Sequence, residues 1–347
     1  MTVEYKPKQP VSVPIGKQST VELPPRAFRL RLACMLFDVD KVFLLPGAMH
    51  DIRVLKTIYD QHPGVKVLVT GHCDTQAPKD YNQYLSDERA ESIAAFLQDD
   101  VDVWLKHYQG TPHSKTWGTK EDQYMLKTLP EGQPPYYAGE VDGVAGPGTQ
   151  AAIKRFQQEH GLKEDGFAGP DTRRALVKDY MALDGTTLPA GTEIQKHGCG
   201  EYHLAVPTAD EVDEQKNRRV EVFFFEKEIT PPPRAQCNDC PEYDQWVEAT
   251  HETINLCEDA GWLDVLVMDA GGTPVKNAKV FAEGTLTFVD FTNDQGQLRF
   301  PALPPGPYDC RVVVDGVDPC KFPVTVTAGS PPAAPPSVPS DPPATAP

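Results

Sequence analysis

The sequence has no run of about eighteen apolar residues, the length that predicts a membrane-spanning helix. Its opening segment, MTVEYKPKQPVSVPIGKQST, also lacks the basic region followed by an apolar region that is typical of a secretory signal. We therefore expect a chain without a membrane span. Either a signal has been trimmed from it or it is not exported by that route, and Met1 favours the second alternative.

Positive charge is also scarce. The 347 residues include 33 Lys and Arg against 50 Asp and Glu, which gives a formal net charge of −17. Proteins that bind nucleic acid carry basic patches, and anionic membrane surfaces attract basic segments. The acidic balance argues against both partners, so an anionic target has to be held by a local and specific site.

The sequence shows none of the common catalytic motifs. It has no G-x-S-x-G, no Cys–His catalytic motif and no H-E-x-x-H. Two glycosidase carboxylates cannot be recognised from their spacing, and in a chain with 50 acidic residues such pairs are background. We therefore expect a noncatalytic protein that needs no cofactor.

The chain is too long for its eight cysteines to be its main support, although an even number is compatible with disulfides. CNDC at 237–240 places two cysteines close together, with His251 and Cys257 further on. A zinc site, a disulfide and free thiols all remain open there, and zinc is the least favoured. Cys310 and Cys320 flank a DGVD turn, where a hairpin could bring them together as a disulfide in an oxidising compartment.

Hydrophobic periodicity predicts strand–helix–strand–helix near the start of the chain. The strand FRLRLACMLFDVD is followed by the helix PGAMHDIRVLKTIYDQH and the strand VKVLVTGHCD. Ser86 is a favourable N-cap for a second helix, SDERAESIAAFLQDD. A further strand, NRRVEVFFFE, returns at 217–226 after a long excursion.

The excursion contains an internal repeat. DGVAGPGTQAAI begins at Asp142 and DGFAGPDTRRAL at Asp165, and each combines an Asp-Gly turn, a Gly-Pro helix start and a helical run. Phe156, between them, is a candidate core residue. The repeat predicts a small helical bundle inserted into the α/β domain, and we expect it to fold autonomously and to be removable at about 130–185.

The remaining chain changes in character. TPPPRAQCNDCPEYDQW predicts a linker with a short helix. From Gly261 onwards short strands alternate with turns, which predicts a small β-sandwich. The end, SPPAAPPSVPSDPPATAP, is rich in Pro, Ala and Ser, so we expect it to be disordered.

Asp74 follows a predicted strand, and Arg89 falls in the first turn of the helix predicted to begin at Ser86. Helix N-termini favour acids such as Asp87 and Glu88, so a cation there is unusual. An arginine beside free helix N–H groups forms a good carboxylate site, and an aspartate can bind an ammonium group. Together they would hold the two ends of a zwitterion. The alternatives, which composition alone favours, are that Asp74 and Arg89 pair with each other or that Arg89 is solvated.

The same stretch carries a specific motif. GHCDTQAPKDYNQYLSDERA, with GCGE at 198–201 and NRRV at 217–220, resembles the OmpA-like peptidoglycan-anchoring domain. FDVDKVFLLP at 37–46 is similar to the opening strand of that family. The matching residues of the first motif are Gly71, Asp74, Asn82, Leu85, Ser86, Arg89 and Ala90.

This resemblance implies an α+β fold and a noncovalent grip on the diaminopimelate side chain of peptidoglycan stem peptides. It implies that Asp74 takes the ammonium group and Arg89 the carboxylate. Cys73 departs from the small hydroxyl residue that is usual before the Asp. The ligand-binding residues implied are Asp74, Arg89, Asn82, Arg218 and Arg219.

Two further segments resemble known modules. VDGVAGPGTQAAIKRFQQEHGLKEDGFAGPDTRRAL is similar to the small helical peptidoglycan-binding domain often attached to cell-wall hydrolases, and it carries no sharp ligand motif. DAGGTPVKNAKV and TNDQGQLRFPALPPGPYDC resemble the carboxypeptidase regulatory-like domain, which implies a spacer or adhesion module.

One further cluster has the residue types of a metal site. HGCGEYH places His197, Cys199 and His203 close together in sequence. The similarity of this loop to the Gly-x-Gly-Glu motif of the OmpA-like family accounts for it without a metal, so we expect none.

These features predict an α+β OmpA-like domain with an inserted small all-α bundle and a C-terminal all-β sandwich. The predicted segments are an extended leader at 1–25, the discontinuous OmpA-like domain at 26–107 and 190–226, an insert at 108–189 with its helical domain at about 138–180, a Cys-containing linker at 227–259, the sandwich at 260–327 and a Pro-rich tail at 328–347.

The predicted function is noncatalytic binding of peptidoglycan in the cell envelope, where two wall-directed modules would give avidity on a repetitive polymer. Two alternatives remain. One is a cell-wall hydrolase with unrecognised catalytic residues. The other is a component or cargo of a type VI-like contractile injection apparatus, with the sandwich as docking module. Cytoplasmic synthesis followed by injection would supply the export route, and a secretion-apparatus protein would then be a partner.

Overall fold

The computed structural model describes residues 2–5, 27–32, 37–38, 40–110, 114–130, 133–185, 187–189, 191–214, 216–234, 239–255, 261–283, 287–303, 306–314 and 317–327. The tail predicted at 328–347 and most of the leader predicted at 1–25 lie outside these residues. The described chain is mixed α/β, followed by an all-β C-terminal part, as predicted. None of the helices in these ranges is long and apolar enough to span a bilayer.

A six-stranded sheet organises the α/β part, in the order β1–β6–β2–β5–β3–β4. The strands are β1 (Thr2–Tyr5), β2 (Ala27–Leu32), β3 (Lys66–Gly71), β4 (Ile194–Gly198), β5 (Val220–Phe225) and β6 (Thr250–Asn255). The pairs β2/β6 and β3/β4 are parallel, and the other neighbours are antiparallel.

The sheet takes in segments that the sequence assigned elsewhere. β1 comes from the predicted leader, and β6 comes from the predicted linker, where it follows a short helix, α7 (Glu242–Ala249). β6, THETIN, holds a single aliphatic residue, Ile254, so it lacks the alternation of apolar residues that predicts a strand. Its place beside β2 is decided by backbone pairing.

Two longer helices belong to the same part, α1 (Met49–Gln61) and α2 (Lys79–Leu97). The first follows the prediction, whereas the predicted N-cap of the second, Ser86, was wrong. The Ser86 hydroxyl donates to the carbonyl of Gln83 and accepts from the backbone N–H of Gly200. From the sequence alone, a serine that makes such contacts inside a helix cannot be distinguished from a serine at the N-cap of a helix. Arg89 therefore lies in the interior of α2 and not in its first turn.

The stretch at 37–46 was predicted as an opening strand, but its described residues are in no strand. Val42 and Leu44 are fully buried there. Their carbonyl groups accept hydrogen bonds from side chains, Val42 from Ser92 at 2.6 Å and Leu44 from Tyr180 at 2.8 Å. Because side chains take the place of a neighbouring strand, the apolar pattern alone gave the wrong element.

The segment between β3 and β4 is helical. After α2 come α3 (Val101–Lys106), α4 (Thr119–Thr128), α5 (Pro147–Glu159) and α6 (Pro170–Met181). The sequence repeat corresponds to a repeated hydrogen-bond unit, in which a glutamine of one helix organises the turn before the next. The amide NH₂ of Gln123 donates to Asp142, Val144 and Thr149, and that of Gln157 to Asp165, Phe167 and Thr172, at 2.8–3.1 Å.

These helices share a core with the sheet. The rings of Phe43, Trp104 and Tyr180 lie 5.2–6.1 Å apart, and Trp117 packs 5.2 Å from Phe43. Tyr180 belongs to α6 and is fully buried against residues outside the repeat. The structure therefore argues against an autonomous insert. The sequence repeat predicts the helices of the insert, but it does not predict that α6 packs against residues outside the insert.

The C-terminal part is a pair of sheets, β10–β7 and β12–β11–β8–β9. Its strands are β7 (Gly261–Leu266), β8 (Lys279–Glu283), β9 (Thr287–Phe291), β10 (Gln297–Leu303), β11 (Gly306–Val314) and β12 (Val317–Val326). The disulfide that a hairpin could form between Cys310 and Cys320 in an oxidising compartment is absent, and both are free thiols. Cys310 pairs in register with Phe322, and Cys320 with Val312, so the hairpin does not place the two cysteines opposite each other.

The shared aromatic core makes a prediction about Tyr180. Tyr180→Ala should lower the free energy of unfolding of the sheet part, and not only of the helical insert, by about 3–5 kcal/mol, as for other large buried aromatics. Denaturant unfolding followed by tryptophan fluorescence reports on this directly, because Trp104 and Trp117 adjoin the site. Phe167→Ala is the matched control, since its ring in the same insert is 69% exposed. An unchanged transition for Tyr180→Ala would restore the autonomous insert.

Candidate functional site

Three motif segments meet at one edge of the sheet because of the strand directions. β3 ends at Gly71, and its parallel neighbour β4 ends at Gly198. β5 runs antiparallel to β3 and begins at Val220. The ends of parallel strands and the start of an antiparallel neighbour share one edge of a sheet. The loop that carries Asp74, the Gly-x-Gly-Glu loop and Arg218 therefore lie side by side.

Two glycines let α2 lie against this edge. A Cβ on Gly71 would come within 2.1 Å of the Ser86 carbonyl oxygen, and one on Gly198 within 2.4 Å of the Asp87 backbone nitrogen. Only glycine permits this approach. Hydrogen bonds then fasten the loop to the helix. The Asp87 carboxylate accepts from the N–H of Gly198 at 2.6 Å, and the Ser86 hydroxyl from that of Gly200 at 2.8 Å.

A cavity of about 220 Å³ opens between these loops and α2. Pockets that hold a whole small molecule measure roughly 300–1,000 Å³, so this cavity suits the end of one side chain. Its walls carry both signs of charge. The lining residues are Asp40, Cys73, Asp74, Gln76, Ala77, Asn82, Leu85, Arg89 and Arg218.

Arg89 supplies a buried positive charge. It is 2% exposed, because it projects from the interior of α2. Its guanidinium donates to the carbonyl of Lys41 at 3.4 Å and to the sulfur of Cys73 at 3.6 Å, and it lies 5.3 Å from the ring of Phe37. Within the described part of the chain, it makes no ion pair, so the predicted alternatives of an Asp74 partner and of solvation are both absent. Burying a guanidinium without an anionic partner costs free energy, so the cavity favours the binding of an anion.

Asp74 supplies the opposite charge. It is 6% exposed, and its Oδ2 accepts from the guanidinium of Arg218, which also pairs with Asp213. Among the described residues, its Oδ1 accepts only a long contact from the N–H of Gln76, at 3.4 Å. A carboxylate oxygen has two acceptor positions, so an ammonium group can reach Oδ1 while Arg218 stays in place.

Asn82 holds the loop of Asp74. Its amide NH₂ donates to the backbone carbonyls of Asp74 and Ala77, at 3.0 and 2.9 Å, and to the Glu201 carboxylate at 2.7 Å. Cys73 beside it is buried, and burial raises the pKa of its thiol to about 11 despite the Arg89 charge. Cys73 thus offers Arg89 a neutral sulfur acceptor.

Arg219 does not line the cavity. Arg218 lies in a bend, whereas Arg219 directly precedes β5. The guanidinium of Arg219 donates to Glu221 at 2.7 Å and to the Tyr243 hydroxyl at 3.2 Å. Burial would raise the pKa of Glu221, but Arg219, together with neighbouring cationic groups that include Arg29, holds that pKa well below its usual value.

Two acids at the site were missed from the sequence. Glu201 belongs to the Gly-x-Gly-Glu motif, which could have indicated it, but its role of holding Asn82 depends on a contact across 119 residues. Asp40 lines the cavity and pairs with Lys115 at 2.9 Å. Its sequence context, FDVD, gave no sign of this position.

The close approach at Gly71 makes a prediction. Gly71→Ala should lower the free energy of unfolding by about 1–3 kcal/mol, the usual cost of overpacking, because the new methyl group meets backbone that has little freedom to move. Gly47→Ala is the control, since a Cβ there meets nothing within 4 Å. Chemical denaturation of both variants checks this, and equal stabilities would show that α2 shifts freely.

Three family models match the chain in the order and approximate positions predicted. They are the OmpA family at 36–103, the putative peptidoglycan binding domain at 134–176 and the carboxypeptidase regulatory-like domain at 263–335. The three predicted resemblances are thereby confirmed. The first two matches support peptidoglycan binding and point to the cell envelope.

Individual relatives are similar only locally. A spore cortex-lytic enzyme of Bacillus cereus is 43% identical over 65 residues, which are 19% of this chain and 25% of the relative. Outer membrane porin F of Pseudomonas fluorescens is 38% identical over 64 residues, 18% and 20% of the two chains. The zinc D-Ala-D-Ala carboxypeptidase of Streptomyces albus G is 45% identical over 49 residues, 14% and 18%. The chain therefore spans a quarter or less of each of these relatives.

Proposed function

We propose that this protein binds peptidoglycan without cleaving it, and that the cavity holds the free end of a diaminopimelate side chain. Arg89 takes the carboxylate of that end, and Asp74 takes its ammonium group. The observation that carries the proposal is the burial of Arg89 without an ion-pair partner in the described chain, in a cavity that also presents the Asp74 carboxylate.

The chemistry of the ligand fits both walls. The free end of diaminopimelate carries an ammonium and a carboxylate on one carbon, and the cavity has the size for such a group. A carboxylate would give the buried guanidinium of Arg89 the charge-assisted hydrogen bonds that it lacks. Its contacts at 3.4 and 3.6 Å are both to neutral acceptors.

The other predicted residues have supporting roles. Arg218 orients Asp74 through their ion pair, and Asn82 fixes the backbone of the same loop. Arg219 acts at a distance, by anchoring the start of β5 in the network around Glu221. A second wall-directed module, the helical insert, adds avidity on a polymer that repeats its epitope.

The assignment predicts that both charges matter for binding. Arg89→Lys and Asp74→Asn should each weaken binding to purified diaminopimelate-type sacculi by about ten- to a hundredfold, because each loses a charge-assisted contact of about 1.5–3 kcal/mol. Lysine keeps the charge of Arg89 but not the two-pronged grip on a carboxylate. Co-sedimentation at fixed ionic strength gives the affinities.

Arg174→Ala is the matched control for the loss of one cation. Its side chain is 55% exposed and pairs with Asp102 away from the cavity. Thermal melting of every variant separates lost binding from lost folding, since both cavity residues are buried. If the folded Arg89→Lys and Asp74→Asn variants bind sacculi with wild-type affinity, the cavity is not the binding site.

The proposal also predicts that the protein does not solubilise peptidoglycan. Incubation of the purified chain with sacculi should release no muropeptides above a heat-inactivated control, because no nucleophile–base motif accompanies the binding modules. Chromatography of the supernatant is the measurement. Release that a single substitution abolishes would identify the alternative, a wall hydrolase.

A second candidate function is that of a component or cargo of a contractile injection apparatus. It is favoured by exposed apolar side chains on the C-terminal sandwich, Leu266 at 53% and Met268 at 51%, which suit a protein contact. Affinity capture from the native host with Leu266→Ser and Met268→Ser as controls tests it. Capture of apparatus proteins by the wild type but not by these variants would support this role.

A further inference from the structure

Three metal-ligating side chains meet next to the Gly-x-Gly-Glu loop. His197 and Cys199 lie at and just after the end of β4, and Cys240 precedes α7. All three are buried, at 4%, 0% and 0% exposure. One imidazole nitrogen and the two sulfurs lie within 4.8 Å of one another. Two segments 41 residues apart therefore place one nitrogen and two sulfur ligands around a single point.

The surroundings orient the imidazole. His197 hydrogen-bonds the backbone of Arg234, and its ring packs edge-on against Trp246, with centroids 5.7 Å apart. Histidines that bind metals almost always donate their other ring N–H to a carbonyl or carboxylate, which fixes the ring and its tautomer. The carbonyl of Cys240 is in turn hydrogen-bonded to His203 at 2.8 Å, which holds the second segment in place.

We propose that the reduced protein binds one Zn²⁺ through His197, Cys199 and Cys240. Two thiolates and an imidazole are a ligand set that favours zinc over the hard cations Mg²⁺ and Ca²⁺. Binding releases the two thiol protons to solvent and moves no electrons. The structure shows Cys199 and Cys240 as a disulfide, which is the oxidised alternative of the same pair, and the two states exclude each other.

A zinc site at this position differs from the expectation of no metal that the loop HGCGEYH suggests. In the sequence, the Gly-x-Gly-Glu motif accounts for HGCGEYH, and the residues nearest to CNDC that could share a metal with it are His251 and Cys257. The fold instead joins Cys240 to His197 and Cys199. His203, the third member of the sequence cluster, is instead hydrogen-bonded to the backbone carbonyl of Cys240.

The position of the site suggests what zinc would stabilise. The N–H of Cys199 donates to the carbonyl of Gly71, and Glu201 accepts from Asn82 at the cavity. Zinc would therefore tie the segment before α7 to the loop that supports the ligand cavity. This role is independent of the proposed ligand, so either proposal can fail alone.

Zinc uptake by the full chain tests the site. A water-soluble phosphine reduces the disulfide, passing two electrons to the sulfurs and taking an oxygen atom from water. After removal of the phosphine without oxygen, titration against a chromogenic chelator should show a single tight zinc site. Cobalt in its place should give the charge-transfer absorption of at least two thiolates. If the fully reduced chain binds no zinc, the proposal is overturned.

Variants assign the ligands. Cys199→Ser, Cys240→Ser and His197→Ala should each weaken zinc binding by at least ~100-fold, since even the loss of a group that merely orients a ligand costs about 10–100-fold. Cys310→Ser, a buried free thiol of the sandwich, should bind as the wild type does. If the Cys199→Ser and Cys240→Ser variants both bind zinc as tightly as the wild type does, the assignment is overturned.

A measurement on the wild-type chain tests the proposal even if the variants fail to fold. Zinc should slow alkylation of Cys199 and Cys240 in the wild type, as read by peptide mass spectrometry, while Cys320, which is exposed, reacts at an unchanged rate. Zinc should also raise the melting temperature of the reduced wild type. Equal alkylation of Cys199 and Cys240 with and without zinc overturns the proposal.

Discussion

The buried charge of Arg89 is the constraint on which the account of this protein depends. A guanidinium that is 2% exposed needs an anionic partner, and the described chain supplies only a backbone carbonyl, a neutral thiol and an aromatic ring. Arg29 and Arg219, the other arginines that are buried in the described chain, both pair with Glu221. Arg89 is therefore suited to an anion from outside the chain, and the Asp74 carboxylate lines the same cavity. This pair of charges is why we propose a ligand that carries both an anionic and a cationic group.

The fold positions this charge through backbone contact. Gly71 and Gly198 allow α2 to approach β3 and β4 so closely that side chains of the helix interior, Ser86 and Arg89, reach the loops at the sheet edge. The sequence alone predicts that the partial charge of a helix N-terminus contributes to the site. In the structure the helix begins at Lys79, so the electrostatic contribution comes from the arginine side chain and not from free N–H groups.

Much of the fold, and the proximity of two candidate site residues, could be predicted from the sequence. The strand before Asp74 and the helical repeat have strong periodicity, and Asp74 and Arg89 both line one cavity as the motif implied. The sequence could not show the partner of each charge, because Arg218 and Glu201 reach the site from more than 100 residues away. It also failed where tertiary contacts replace local ones, as at Ser86 and at Val42, and where a polar strand, β6, is held only by backbone pairing.

The central claim is that Arg89 recognises a carboxylate on a side chain that also bears an ammonium group. Calorimetric titration with two soluble stem peptides tests it most directly, one with diaminopimelate and one with lysine, which lacks only that carboxylate. We predict that the lysine peptide binds at least about tenfold more weakly, because it leaves Arg89 without an anion. Equal affinity for the two peptides would contradict the account.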